Sequence, residues 1–287
     1  MSQTPESSQY HDQAEPKPFP YLTGIGYIPR WIGGVMCYVV FGLGGLLSSL
    51  TVLPVLRFWP GSKQQRIARV QKAVHIMFKG FVWMLTFTGL IKVHSQHTQA
   101  LTNAKGVIVI ANHPTLIDVV VLISLMPNAG CIVKQSLWRN PFIRGVLSSA
   151  GYIPNRGADL LLADCQQVLN RQTNLIIFPE GTRTVVGSKF NPFARGAANI
   201  AIRTRTDIIP VMLHVDVAGL TKQQPWYEPP RQTVNMSVEI GAAFDHLRYD
   251  TSQSSDAKMA RVLTRELEQL YSQQITALPP FSVTTKK

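Results

Sequence analysis

Two long apolar stretches come first along the chain, and short β-branched runs follow them. The run WIGGVMCYVVFGLGGLLSSLTVLPVL, residues 31–56, carries no charge and is slightly longer than the ~20 residues that cross a bilayer core. Its glycines suit a membrane helix better than a soluble one. Pro54 lies near its end, and Arg57, Trp59 and Lys63 follow as interfacial anchors would. The second stretch, AVHIMFKGFVWMLTFTGLI at residues 73–91, sets His75 and Lys79 among Phe78, Phe81, Trp83 and Phe87. An amphipathic core helix fits that pattern, but the aromatic residues and basic flanks favour a helix lying in the head-group layer. Together the two stretches predict a membrane-docking helical hairpin over residues 21–91. Residues 1–20 are polar and proline-bearing, without helix or strand period, and read as a disordered tail.

From residue 92 the period shortens. GVIVIA (106–111), CIVK (131–134), NLIIFP (174–179), DIIPVMLHV (207–215) and VNMSVEIG (234–241) read as strands. Helices fit residues 114–125, 157–170, 196–204 and 255–271, the last with Met259, Val262, Leu263, Leu267 and Leu270 on one stripe. Strands alternating with helices predict an α/β domain over residues 92–287, with a mixed, largely parallel sheet flanked by helices.

Composition narrows the partners. A chain of 287 residues buries a core without disulfides or metals. Cys37, Cys131 and Cys165 lie far apart in apolar or helical segments, which resembles neither a disulfide framework nor a zinc site and points to a reducing compartment. The net charge of +12 implies an anionic partner, and charge alone does not separate nucleic acid, lipid head groups, phosphorylated metabolites and an acidic carrier protein. Between Arg57 and Lys92 every charged residue is basic, directly beside the apolar stretches, which fits a membrane surface better than a DNA-reading helix. The tail ahead of the first stretch is net negative and unlike the short basic start of a cleavable signal peptide. A spanning first stretch would then leave the bulk of the protein on the cytoplasmic side of the cytoplasmic membrane.

Candidate chemistry begins with NHPTLID at residues 112–118, directly after the apolar GVIVIA run. Positions five apart on a helix differ by about 140°, so a helical His113 cannot face Asp118. Proline is favoured at the first helical position and pushes the preceding residue out of helical geometry. NHP thus predicts His113 at the cap of a helix starting at Pro114, folded back onto Asp118. A carboxylate bonded to one ring nitrogen fixes the tautomer and leaves the other nitrogen as a base, with an ordinary pKa of ~6.5. A plain capping role is the alternative; position at a strand's C-terminal end, where α/β sheets place their chemistry, favours the base. G-x-S-x-G, H-E-x-x-H and a P-loop are absent, so the nucleophile is expected to be a substrate hydroxyl.

NLIIFPEGTRT repeats the arrangement, an apolar strand ending in Glu180, Gly181, Thr182 and Arg183. Glycine lets backbone amides approach an anion, threonine donates a hydroxyl, and arginine offers a fork matched to phosphate. A surface ion pair between Glu180 and Arg183 is the alternative. GYIPNRG ends a further apolar segment in Arg156.

These elements resemble the glycerolipid acyltransferase family, best known for 1-acyl-sn-glycerol-3-phosphate (lysophosphatidate) acyltransferases. Asn112, His113 and Asp118 match its N-H-x-x-x-x-D block. KQSLWRNPFIRGVLSSAGYIPNR, residues 134–156, is similar to its second block through Lys134, Leu137, Pro141 and Gly151. FPEGTR (178–183) matches the third, and IIPVML (208–213) the fourth. Thr115 stands where many members have serine, and YIPNR replaces a more apolar segment.

The resemblance implies an O-acyltransferase acting in phospholipid biosynthesis, with no cofactor and no metal. His113 would deprotonate the acceptor hydroxyl as it attacks an acyl thioester, Asp118 would hold the imidazole, and transfer would be direct. Arg156, Glu180, Gly181, Thr182, Arg183 and, less centrally, Lys134 would hold the acceptor phosphate. The donor is acyl-CoA or acyl carrier protein, and the acceptor a lysophospholipid, 1-acyl-sn-glycerol-3-phosphate first. Partners are these and the membrane, with no nucleic acid. A different acceptor lipid within the family and a non-catalytic lipid-binding relative are the alternatives. An α/β hydrolase lacks its nucleophile elbow here, and the basic residues of the soluble half are scattered rather than gathered for nucleic acid.

Overall fold

The computed structural model describes residues 27–139, 141–185, 187–217, 228–230, 232–249 and 254–275, with only the backbone at 141–143 and 158–159. The expected tail at 1–20 lies outside them. In chain order the elements are α1 (Ile28–Leu50), α2 (Val52–Phe58), α3 (Lys63–Phe87), β1 (Ile91–Ser95), α4 (Gln99–Thr102), β2 (Ile108–Ala111), α5 (Asp118–Leu125) and β3 (Ala129–Lys134). A 3-10 turn (Gln135–Arg139) leads into α6 (Pro141–Ser149), β4 (Ile153–Asn155), α7 (Ala158–Asn170), β5 (Asn174–Ile177), α8 (Gly196–Thr204), β6 (Ile208–Val215), β7 (Val234–Ile240) and α9 (Asp256–Ile275).

The strands form one seven-stranded sheet in the order β1-β7-β6-β2-β5-β3-β4. Every neighbouring pair is parallel except β6 and β7. The expected mixed, largely parallel sheet is therefore present. Alternate β2 residues serve opposite faces: Val109 and Ala111 join α3 and α5 on one side, Ile108 and Ile110 join α7, α8 and α9 on the other. All four are fully buried, so burial of the branched ones contributes roughly 1.5–3 kcal/mol each.

Pro210 sits in a central strand that proline normally interrupts. The amides of Ile208 and Gly241 explain its tolerance. Ile208 donates toward Phe244 rather than toward β2, so Pro210, two residues on, turns its missing donor to the same side, where β7 has ended. Gly241 donates to the Pro210 carbonyl at 2.9 Å, and a Cβ on Gly241 would meet Pro210 Cγ at 2.9 Å.

Residues 73–91 were expected in the head-group layer, and here the structure differs. Helix α3 is a core helix: Val70, Val74, Phe81 and Leu85 are buried in the same cluster as the sheet, and His75 Nδ1 bonds the Ile123 carbonyl of α5 at 2.8 Å. Its outer face still exposes Trp83 and Phe87, and these aromatic residues produced the interfacial pattern. Ser62 and Gln65 form a capping box at its start. The helix ends at Phe87, and Ile91 already pairs with Val234, so the α/β unit includes α3 and starts ahead of residue 92.

Helices α1 and α2 behave otherwise. Among the described residues, Ile28–Phe58 is the only helical stretch long and apolar enough to cross a membrane, and 6% of its most apolar window is buried. One edge of α1 docks on the domain. Arg30 Nε donates to the Pro230 carbonyl at 2.6 Å and Tyr27 to the Pro229 carbonyl at 3.0 Å. Gly34 lies so close to Pro229 that a Cβ would meet it at 2.7 Å. Met36, Leu43, Leu47 and Leu50 point away from the protein.

The stripe expected on α9 is rotated. Ala260, Leu263, Thr264, Leu267 and Tyr271 are buried, whereas Val262 is exposed. The tyrosine accounts for the rotation: its hydroxyl donates to the Ile110 carbonyl at 2.7 Å and accepts from the Val211 amide at 3.2 Å, bridging β2 and β6 where β2 ends. Tyr271→Phe leaves these backbone groups without that partner and should cost about 1–3 kcal/mol in a thermal or denaturant melt. A variant as stable as the wild type would show that the sheet closes there unaided.

Candidate active site

Strands β4, β3, β5 and β2 lie side by side and run the same way. Their C-terminal ends therefore share one rim, and the residues just past them become neighbours although the sequence scatters them. Asn155 and Lys134 close β4 and β3, Phe178 to Arg183 follow β5, and Asn112 and His113 follow β2. Asn112 extends the sheet past the end of β2. Its amide takes both backbone groups of Leu213 on β6, Nδ2 to O and N to Oδ1, each at 2.7 Å.

His113 Nδ1 lies 2.8 Å from Asp118 Oδ2. Asp118 is fully buried, and Oδ2 also accepts from the Thr115 amide at 2.8 Å while the Thr115 hydroxyl bonds Oδ1. With the carboxylate accepting, Nδ1 carries the ring proton and Nε2 keeps the lone pair. Burial pushes the Asp118 carboxyl above the ordinary aspartate range, and bonds from His113 and Thr115 pull it back. The pair forms by a different local route from the one expected. Pro114 is not the first helical residue; the chain turns through Thr115 to Ile117 and the helix starts at Asp118. Thr115 and Asp118 keep the T-x-x-D spacing of a capping box, with the acid reaching back to the threonine amide.

The imidazole is held on its other sides as well. Its ring stacks on Phe178 with centroids 4.3 Å apart. The His113 amide donates to Glu180 Oε1 at 2.7 Å, and its carbonyl accepts from the Thr184 amide at 2.7 Å. Glu180 also accepts from the Asn191 amide at 2.6 Å and the Thr184 hydroxyl at 2.9 Å. Burial pushes this carboxyl up too, and those donors, with the nearby histidine, offset it.

A pocket of about 450 Å³ opens beside the His113 ring. Lys134, Asn155, Thr182 and Arg183 provide polar lining; Ile132, Val133, Leu161, Ile177 and Ile200 provide an apolar wall. One compartment thus offers a base, cationic groups and space for hydrocarbon.

Residues 91–214 match the family described as Acyltransferase. The chain is 36% identical over 118 residues to a 1-acyl-sn-glycerol-3-phosphate acyltransferase of Helicobacter pylori, covering 39% of this chain and 49% of that protein. It is 32% identical over 197 residues to one of Cocos nucifera, covering 64% and 61%. The matched stretch thus spans about half to three fifths of these relatives. In fold it is similar to the 1-acyl-sn-glycerophosphate (LPA) acyltransferase PlsC of Thermotoga maritima, with a TM-score of 0.63 over 85% of this chain and 97% of that one at 19% identity.

Residues 91–214 are thus similar to an acyltransferase-family domain. Its sequence-predicted residues divide into three groups. His113, Lys134, Gly181, Thr182 and Arg183 line the pocket, with Asp118 buried behind the histidine. Glu180 was expected among the phosphate ligands. Its carboxylate is instead occupied by main-chain and hydroxyl donors and has none to offer an anion, so it positions His113. Gly181 adopts φ +66° and its amide closes a turn onto the Phe178 carbonyl at 3.1 Å, so glycine is needed here for the turn. Arg156 is absent from the pocket lining; it pairs with Asp164 at 2.9 Å and lines a neighbouring pocket. Thr115 bonds Asp118, and Thr184 and Asn191 bond Glu180, contacts that the sequence reading did not assign. The T-x-x-D spacing was a usable signal for the first, whereas Asn191 had none.

Asp118→Asn should preserve the fold and the Nδ1–H tautomer, because the Oδ2 position faces two donors, the Thr115 amide and the ring N–H, and the new amide must present its oxygen there and its NH2 to the Thr115 hydroxyl. An acid whose folded pKa is raised costs stability once pH climbs above its unfolded value, here the ordinary 3.8. Removing it should therefore hold or raise Tm at neutral pH. Ring 15N shifts of His113 and melts at several pH values check both outcomes; a ring proton moved to Nε2 would refute the assignment.

Proposed function

We propose that this chain moves a fatty acyl group from an acyl thioester to the free hydroxyl of a lysophospholipid, 1-acyl-sn-glycerol-3-phosphate in the first instance, giving phosphatidate and a free thiol. The observation that carries this reading is His113 Nδ1 at 2.8 Å from the buried Asp118, with the ring lining a pocket that also holds Lys134 and Arg183.

In the proposed reaction the acceptor oxygen attacks the thioester carbonyl while His113 Nε2 takes its proton. Asp118 and the neighbouring Glu180 stabilise the imidazolium that forms. The C–S bond then breaks, and the departing sulfur receives the proton from Nε2. A thiol is a good leaving group, with a pKa of ~8.5, so transfer needs no acyl-enzyme. Lys134, Thr182 and Arg183 hold the acceptor phosphate. The apolar wall receives hydrocarbon next to the reacting carbonyl.

Helices α1 and α2 anchor the protein to a bilayer in this reading, supported by their length, hydropathy and exposure. Basic residues that follow them orient the domain to the cytoplasmic face. Lipid substrates then reach the pocket without crossing water.

The test is an acyl-transfer assay on the full chain in lipid–detergent micelles, with a panel of lysophospholipids and both thioester donors. Wild-type protein should acylate 1-acyl-sn-glycerol-3-phosphate, and His113→Ala should lose about 10²–10⁴-fold in kcat with Tm unchanged. Retained activity in that variant would exclude the base role, and preference for another lysolipid would reassign the acceptor.

A further inference from the structure

A second pocket, of about 600 Å³, lies along the outer edge of β4 between the start of α3, the 3-10 turn, α6 and α7. Lys63, Arg139, Arg144, Arg156 and Arg171 all line it, and Asp164 is the one carboxylate in its lining among the described residues. Cations gathered in one concavity repel each other and are relieved by a polyanion. Trp138 and Tyr152 line it too. Their indole N–H and hydroxyl are buried without a hydrogen-bond partner among the described residues, whereas buried polar groups are ordinarily paired.

The two pockets share a wall. Lys134 and Asn155 line the catalytic one, and the next residues in the chain, Gln135 and Arg156, line the basic one. A ligand seated in the basic pocket thus needs only to cross the rim of β4 to bring a flexible arm to His113. The acceptor's single phosphate is already served by Lys134, Thr182 and Arg183. What remains is the donor.

We infer that the basic pocket binds the phosphates of a nucleotide-type thioester donor, an acyl-CoA, while its acyl-bearing arm enters the catalytic pocket. This rests on the acyltransferase reading and selects between its two donors. An acyl carrier protein presents its acidic residues on a convex surface and would need cations on a flat or raised face. Here they line a hollow, which suits a 3′-phosphate and diphosphate on a small, flexible molecule. Arg156 thereby gains a role, on the donor rather than the acceptor.

The test measures binding without turnover. Full-chain His113→Ala protein in detergent should bind coenzyme A, and adenosine 3′,5′-bisphosphate should compete. Adding Arg144→Gln and Arg171→Gln should weaken both by about tenfold or more. In otherwise wild-type protein the same pair should raise KM for acyl-CoA by a similar factor and leave KM for the lysophospholipid unmoved. The inference is overturned if coenzyme A fails to bind, or if the pair leaves its affinity unchanged. It is equally overturned if the pair instead raises KM for acyl carrier protein or for the acceptor, or removes binding to vesicles rich in anionic lipid. Coenzyme A binding by a protein inactive on every lysolipid would reject the reaction and keep the site.

Discussion

The backbone amide of His113 donates to the carboxylate of Glu180, and through this bond the ends of β2 and β5 become one unit. Parallel pairing brings the two strand ends together, but pairing alone leaves the residues beyond them free to diverge. Glu180 prevents this by gathering donors from Thr184 and Asn191 in its own loop and from His113, 67 residues away in the chain. Burying a carboxylate is unfavourable unless its lone pairs are used, and here they are. Asp118, also buried, stands on the ring side of the same histidine. Two acids whose burial opposes ionisation therefore flank one imidazole, and each is relieved when a positive charge appears between them. In the proposed reaction that positive charge is the one proton abstraction by His113 would create.

Around that centre the sheet separates two tasks. Its rim presents His113 with Lys134 and Arg183; its outer edge, beyond β4, presents a basic hollow.

Most of the α/β unit was legible because its strands are β-branched runs with turn residues after them. β1 and β4 were not. β4 is only Ile153–Asn155 and contains a proline, too short to show a period, and β1 continues the apolar grain of α3 after one turn. The α3 assignment erred because exposed Trp83 and Phe87 imitate an interfacial helix; periodicity reports an apolar face without saying whether lipid or a sheet covers it. At the site, NHPTLID was legible as a pairing of His113 with Asp118, since a fixed short spacing survives an error in where the helix begins. The part played by Glu180 was not. Residue type allows a carboxylate in an anion site or behind it, and only Thr184 and Asn191, brought in by the fold, decide between them.

The contact between Gly34 and Pro229 has a consequence for geometry at a bilayer. Together with the Arg30 and Tyr27 bonds to the adjoining carbonyls, it holds the first turns of α1 against Pro229 and Pro230. If α1 is embedded, the height and tilt of the whole catalytic rim above the lipid are fixed by this docking, as with a bracket rather than a tether. Under the proposed function, reach toward the acceptor's hydroxyl would then be a property of the protein's shape.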